Sequence, residues 1–131
     1  MTESSNYTRL YTRTVVDHFW NPRNMGSMDE PSGVGRAINR ACSDVVRLFI
    51  KVEDGVITAS QFQAQGCVAC VAAASMTTEL VVGRPVDEGE VQKSEVIEAL
   101  GGLPEKKVEC SLIAPNALRE ALADYTARQE G

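Results

Sequence analysis

Between Asp44 and Val52 the chain alternates without a break: Val46, Leu48, Ile50 and Val52 fall on one side of an extended backbone, and Val45, Arg47, Phe49 and Lys51 on the other. A strand sends successive side chains to opposite faces, so this stretch fits a strand with one face on a core. Glu53-Asp54-Gly55 follows as a turn with a glycine available for positive φ, and Val56 to Ala64 returns as the second arm of a hairpin. An antiparallel sheet is therefore expected in the middle of the chain. A third strand is expected over Arg36 to Ala41, on its position beside Cys42 more than on its pattern.

On either side of the hairpin the apolar spacing becomes helical. Leu10, Tyr11, Val15, Val16 and Phe19 form a stripe between Leu10 and Trp20, and Asn21-Pro22 ends it, because proline disfavours α geometry in the residue before it. Asn21 to Gly35 reads as a polar loop. Gly66 ends the strand region; Cys67 to Val82 then carries Val71, Ala74, Ser75, Thr78 and Val82 at helical spacing and stops at Gly83. A short helix is expected over Lys93 to Leu100, broken by Gly101-Gly102. The last helix starts between Ser111 and Pro115 and buries Ala114, Leu118, Ala121, Leu122 and Tyr125. Residues 1–8 read as a flexible lead and 9–131 as one domain, since 131 residues with 44% apolar content supply one core and not two.

Charge and composition narrow the function classes. With 13 Lys plus Arg against 18 Asp plus Glu, the net charge of -5 argues against nucleic acid and anionic membrane surfaces, and 5% aromatic content leaves little for base stacking. The first residues lack the charged start and apolar run of a secretory signal, and the most apolar stretch, Val68 to Val82, is broken by Ser75, Thr77, Thr78 and Glu79, so no membrane span is expected. A cytoplasmic chain keeps its cysteines reduced. Cys42, Cys67, Cys70 and Cys110 are thus expected as thiols or metal ligands rather than disulfides.

Three of these thiols stand where a regular element meets a loop: Cys42 before the alternating strand, Cys67 where strand yields to helix, and Cys110 before the last helix. The positive end of a helix stabilises an anionic sulfur, and carboxylates stand close by in Asp44 and Glu109. Three thiolates with an oxygen donor suit zinc or an iron-sulfur cluster and suit magnesium or calcium poorly. Any single free cysteine is more often a small buried hydrophobe; three at element ends beside acids reverse that order. Cys67-Val68-Ala69-Cys70 is also a CxxC opening a helix, the context of a thiol redox site, although Cys70 alone reads as packing. His18, the one histidine, has no nucleophile near it in sequence and is expected to be structural.

Several of these segments resemble the IscU/NifU-type scaffolds of iron-sulfur cluster assembly. Asp17-His18-Phe19-Trp20-Asn21-Pro22-Arg23-Asn24-Met25-Gly26 is similar to the family's DH(Y/F)xNPRNxG signature, Ala41-Cys42-Ser43-Asp44 to ACGD, and Lys107-Val108-Glu109-Cys110-Ser111 to KIHCS, with Gly66-Cys67 opening the helix. The resemblance runs from Tyr11 to Tyr125. It implies an α+β fold with a small antiparallel three-stranded sheet packed by helices, and a cluster site formed by Cys42, Cys67, Cys110 and Asp44. It also implies a scaffold rather than a turnover enzyme: sulfur arrives as persulfide from a cysteine desulfurase, iron and electrons follow, with a frataxin-like iron donor and a ferredoxin as candidate partners, and a [2Fe-2S] cluster passes to apo-proteins. Zinc is the alternative occupant, as in the SufU branch that relays sulfur. Cys110 lies 43 residues after Cys67, without room for the SufU insertion.

Four departures from the family pattern carry expectations. Glu109 replaces a histidine, leaving a carboxylate as the only candidate fourth ligand there. Ser43 replaces a glycine and should limit positive φ. Cys70 adds a thiol on nearly the same helix face as Cys67. Leu103-Pro104-Glu105-Lys106-Lys107 replaces the LPPVK read by specialised chaperones, so that partnership is expected to be weak.

Overall fold

The hairpin forms as its alternation requires. In the structure, a computed structural model describing residues 10–41 and 43–130, β2 (Asp44–Glu53) pairs antiparallel with β3 (Val56–Gln65), Leu48 opposite Phe62. The lead expected over residues 1–8 lies outside the described residues, as does Cys42. Asp54 and Gly55 turn the chain with φ of 53° and 76°. Two positive φ values in succession match the right-handed twist of the flanking strands. Val46, Leu48 and Ile50 are fully buried on the core face, whereas Val52 is only half-buried.

The third strand is β1 (Gly33–Asn39), antiparallel to β2, in the order β1-β2-β3. It begins three residues before the expected start and ends two before the expected end, so Gly33 to Gly35 belong to the sheet and not to the loop. The two glycines explain the difference. They look like loop residues in composition, yet they lie beneath α4 (Ile113–Glu130), where a Cβ on Gly33 would run into the Ala121 carbonyl oxygen and one on Gly35 into the Ala117 carbonyl oxygen and the Ala121 nitrogen. The Val34 N–H donates to Asp124 Oδ2 of the same helix at 2.9 Å.

At the centre lies α2 (Val68–Val81), buried continuously from Ala69 to Thr78. One stripe was expected to be buried; instead the helix packs against the sheet, α4 and two further helices at once, which requires a surface apolar or small on all sides. Val82, expected as the end of the helix, falls just beyond it and is exposed. The first helix, α1 (Arg13–Trp20), is capped by the Thr12 hydroxyl, which accepts the Val15 N–H at 3.1 Å and donates to the Leu100 carbonyl at 2.5 Å. Leu10 stays exposed, contrary to the expected stripe. The third helix, α3 (Lys93–Ala99), is held by an Arg84–Glu95 ion pair of 2.6 Å.

Ala114, Leu118 and Ala121 of α4 are buried as expected, with Leu122 and Tyr125 half-buried at its edge. Two 3₁₀ segments, Val86–Glu88 and Glu105–Leu112, were not expected from the pattern. The architecture is α+β, with helices packed on one face of the sheet. No helix among the described residues is long and apolar enough to cross a membrane.

Candidate metal centre

Strand register decides where the site forms. Val45 pairs with Gln65, so Asp44 at the start of β2 lies beside the Gly66-Cys67 step that follows β3. Cys67 is the N-cap of α2, with extended backbone (φ -73°, ψ 173°), so its thiol stands at the positive end of a 14-residue helix. The 3₁₀ segment between α3 and α4 packs on α2 and brings Cys110 to the same place. The donor atoms of Asp44, Cys67 and Cys110 all lie within 4.8 Å of one another. Asp44 is 2% exposed and Cys110 1%, while Cys67 is half-buried and marks the open side.

Asp44 is fixed by its neighbours. Its Oδ1 accepts the Cys67 N–H at 3.3 Å, and the Cys67 thiol reaches its Oδ2 at 3.7 Å. Two sulfurs and one carboxylate oxygen at this spacing suit zinc or iron and would be too soft a set for magnesium. Cys42, two positions ahead of Asp44 in the chain, lies outside the described residues. Cys70 is fully buried and does not belong to the three-donor group; Glu109 is exposed and does not belong to it either.

Two features of the site were not legible beforehand. Ser43 has a φ of 58°, so replacing glycine by serine has not kept the backbone out of the left-handed region. Asn, Asp and, less often, serine tolerate that region at a cost of about 1–2 kcal/mol, and here the turn leads directly into Asp44 at the start of β2. Gly66 is the second. A Cβ placed on it would lie 2.6 Å from Asp44 Oδ1, 2.8 Å from Asp44 Cγ and 3.0 Å from Cys70 Sγ. The carboxylate occupies the space a side chain would take, so Gly66→Ala is expected to displace Asp44 and weaken zinc binding by about tenfold with little change in far-UV circular dichroism. Unchanged zinc affinity would show that Asp44 has another position open to it.

His18 lies away from the donors and joins α1 to α2. Its Nδ1 is 2.7 Å from Ser75 Oγ, which also accepts the Arg23 N–H at 2.8 Å, and its Nε2 faces Glu79 Oε1 at 3.5 Å. A serine, a histidine and a carboxylate in a row suggest a nucleophilic triad, but Ser75 is fully buried and no substrate reaches it. The role is structural.

Burial holds the His18 imidazole below its ordinary pKa of 6.5, with Arg23 acting in the same direction and Glu79 and Asp17 opposing. The unfolded chain therefore takes up the proton first, and stability is lost as pH falls below about 6.5. Thermal melts at about pH 7.5 and about pH 5.5 check this: the wild-type Tm should fall more between them than the Tm of His18→Gln. Equal falls would remove His18 from the acid response.

Comparison with known proteins identifies the family. The profile described as "NifU-like N terminal domain" matches residues 10–131. The chain belongs to the NifU-like N-terminal domain family. Among relatives, it is 44% identical over 117 residues to "Iron-sulfur cluster assembly scaffold protein IscU 1" of Archaeoglobus fulgidus, covering 88% of this chain and 76% of that one. It is 40% identical over 124 residues to the Escherichia coli K12 protein named "Iron-sulfur cluster assembly scaffold protein IscU", covering 92% and 97%. The crystal structure of a NifU-like N-terminal protein from Brucella abortus shares the fold, with a TM-score of 0.73 at 18% identity over 91% of this chain and 96% of that one. Membership of the IscU/NifU type thus rests on nearly the whole folded length.

Proposed function

We propose that this member of the NifU-like family is a scaffold on which a [2Fe-2S] cluster is built from iron and desulfurase-derived sulfur, then passed to apo-proteins in the cytoplasm. The observation that carries the reading is the convergence of Asp44, Cys67 and Cys110 within 4.8 Å at one end of the sheet. Cys42 is the proposed third thiolate, adjacent in sequence to the strand that carries Asp44. Cys67 is the most accessible of the described donors, and so the natural acceptor for incoming sulfur. The chain's role is to hold and release its cargo rather than to turn over a substrate.

Release follows from the mixed donor set. A carboxylate binds iron more weakly than thiolate, so Asp44 is the position at which an incoming ligand can exchange. Replacing Asp44 with alanine is expected to slow cluster transfer by about tenfold and lengthen the cluster's lifetime. Transfer to an apo-ferredoxin followed by circular dichroism measures this, and unchanged kinetics would assign release to another ligand. Glu109, being exposed, serves at most as a solvated acid near the centre.

The same donors suit zinc, and a zinc-bound sulfur relay is the competing reading. Anaerobic reconstitution with ferrous iron, cysteine and a cysteine desulfurase separates the two: a scaffold acquires visible absorption and a transferable cluster, whereas a zinc relay stays colourless and retains its metal on elemental analysis. A defined Cys67–Cys70 disulfide couple with no metal uptake would favour the redox reading instead. A specialised chaperone is expected to bind weakly, because Glu105 and Lys106 are exposed charges where an apolar extended motif would be needed. The desulfurase contact does not depend on that segment.

A further inference from the structure

One face of the sheet is buried by the helices; on the other, Phe49 is only 4% exposed, with the segment between Met25 and Ser32 running from the edge of β3 to β1 and Lys51 Nζ donating to the Glu30 carbonyl at 2.9 Å. That covering stops short of the end nearest the metal centre. There, two cross-strand rows stand open: Arg36 opposite Arg47, then Ile38 opposite Val45, with Gln63 and Gln65 continuing them on β3. Both arginines are exposed, and neither makes an ion pair among the described residues. Like charges directly opposed destabilise an antiparallel ladder, and this pair stands in a chain with 18 acids and a net charge of -5. Arg47 is also oriented, its Cζ lying 5.2 Å from the Phe49 ring centroid. Beside the pair, Ile38 is 48% exposed on the edge strand.

We propose that this end of the sheet is a docking surface for a carboxylate-bearing segment of a partner protein, with an apolar side chain of that segment resting on Ile38. Charge complementarity selects the occupant: Arg36 and Arg47, directly opposed in the ladder and both exposed, supply two positive charges for a carboxylate, and apolar area next to them favours a polypeptide over a free anion. The chain's overall negative charge disfavours nucleic acid. The Ile38–Val45 row is one residue from Asp44, and Gln65 two from Cys67, so a partner held here lies next to the metal centre. The surface does not depend on what the cysteines hold, and its test is read on metal-free protein.

The test is a backbone amide NMR titration of the ¹⁵N-labelled full chain with a synthetic peptide of alternating glutamate and leucine, about eight residues long to span a strand. Shifts are expected over residues 36–38, 45–47 and 63–65, with none from the alternating lysine-leucine peptide. Arg36→Glu/Arg47→Glu should raise the apparent Kd about tenfold or more while the rest of the spectrum stays in place. Arg36→Gln/Arg47→Gln, which removes the charge at similar size, should weaken binding in the same direction. Shifts centred on Lys106 and Lys107, or unchanged affinity in both variants, would overturn the proposal. Concentration-dependent self-association that the variants abolish would also overturn it, by assigning the face to a second copy of the chain.

Discussion

Gly35→Ala is expected to lower the Tm by about 10 °C or more, or to leave the chain unfolded at ordinary temperature. The added methyl meets the backbone of α4, at the Ala117 carbonyl oxygen and the Ala121 nitrogen, and neither can rotate away as a side chain would. Relief requires moving α4 off β1, which uncovers Leu118, Ala121 and the strand beneath. Overpacking a core costs about 1–3 kcal/mol when side chains can yield, and more when backbone has to move. Gly55→Ala is the comparison: its φ of 76° imposes strain of about 1–2 kcal/mol, but nothing lies within 4 Å of the added carbon. Thermal melts of both decide the matter. If Gly35→Ala is no worse than Gly55→Ala, the helix is not pressed onto the strand as described. Because the 3₁₀ segment that carries Cys110 runs directly into α4, a displaced helix should also loosen the metal centre.

Cys67→Ala and Cys110→Ala are each expected to abolish the visible absorption gained on anaerobic reconstitution, and to lower zinc affinity by about 100-fold or more. Each removes one of the described soft donors and leaves a carboxylate with a single thiolate partner from the described set. The fold should persist. Cys67 is a half-buried N-cap without a side-chain capping bond, and Cys110→Ala removes one buried sulfur, at a cost of about 1–2 kcal/mol. Cys70→Ala is the control: that thiol is just as buried but stands outside the donor group, so reconstitution should succeed with it. Full cluster occupancy in Cys110→Ala, or loss of the cluster in Cys70→Ala, would show that the donor set is wrongly assigned.

Local pattern was enough to read the hairpin, because a period of two and an Asp-Gly turn are written in neighbouring residues. It was also enough to single out Cys42, Cys67 and Cys110 as thiols at element ends, and Asp44 two residues after Cys42, as candidates. β1 was harder to place. Gly33 and Gly35 are loop residues by propensity, and what makes them strand residues is a helix some eighty positions further on. The all-round burial of α2 had the same origin, since a stripe records one neighbour and this helix has several.

The sequence by itself determined the alternating hairpin, the punctuation of the helices and which thiols stand at element ends, because each depends on residues a few positions apart. Tertiary structure alone decided that Cys110 meets Asp44 and Cys67 within 4.8 Å while Cys70 stays behind them in the core, and that Glu109 faces solvent. It also decided that Gly66 makes room for a carboxylate and that Arg36 lies opposite Arg47. The physical reason is common to all of these. Register and helix docking set distances between residues remote in the chain, and those distances are chosen by the packing of the whole core rather than by the preference of any local segment.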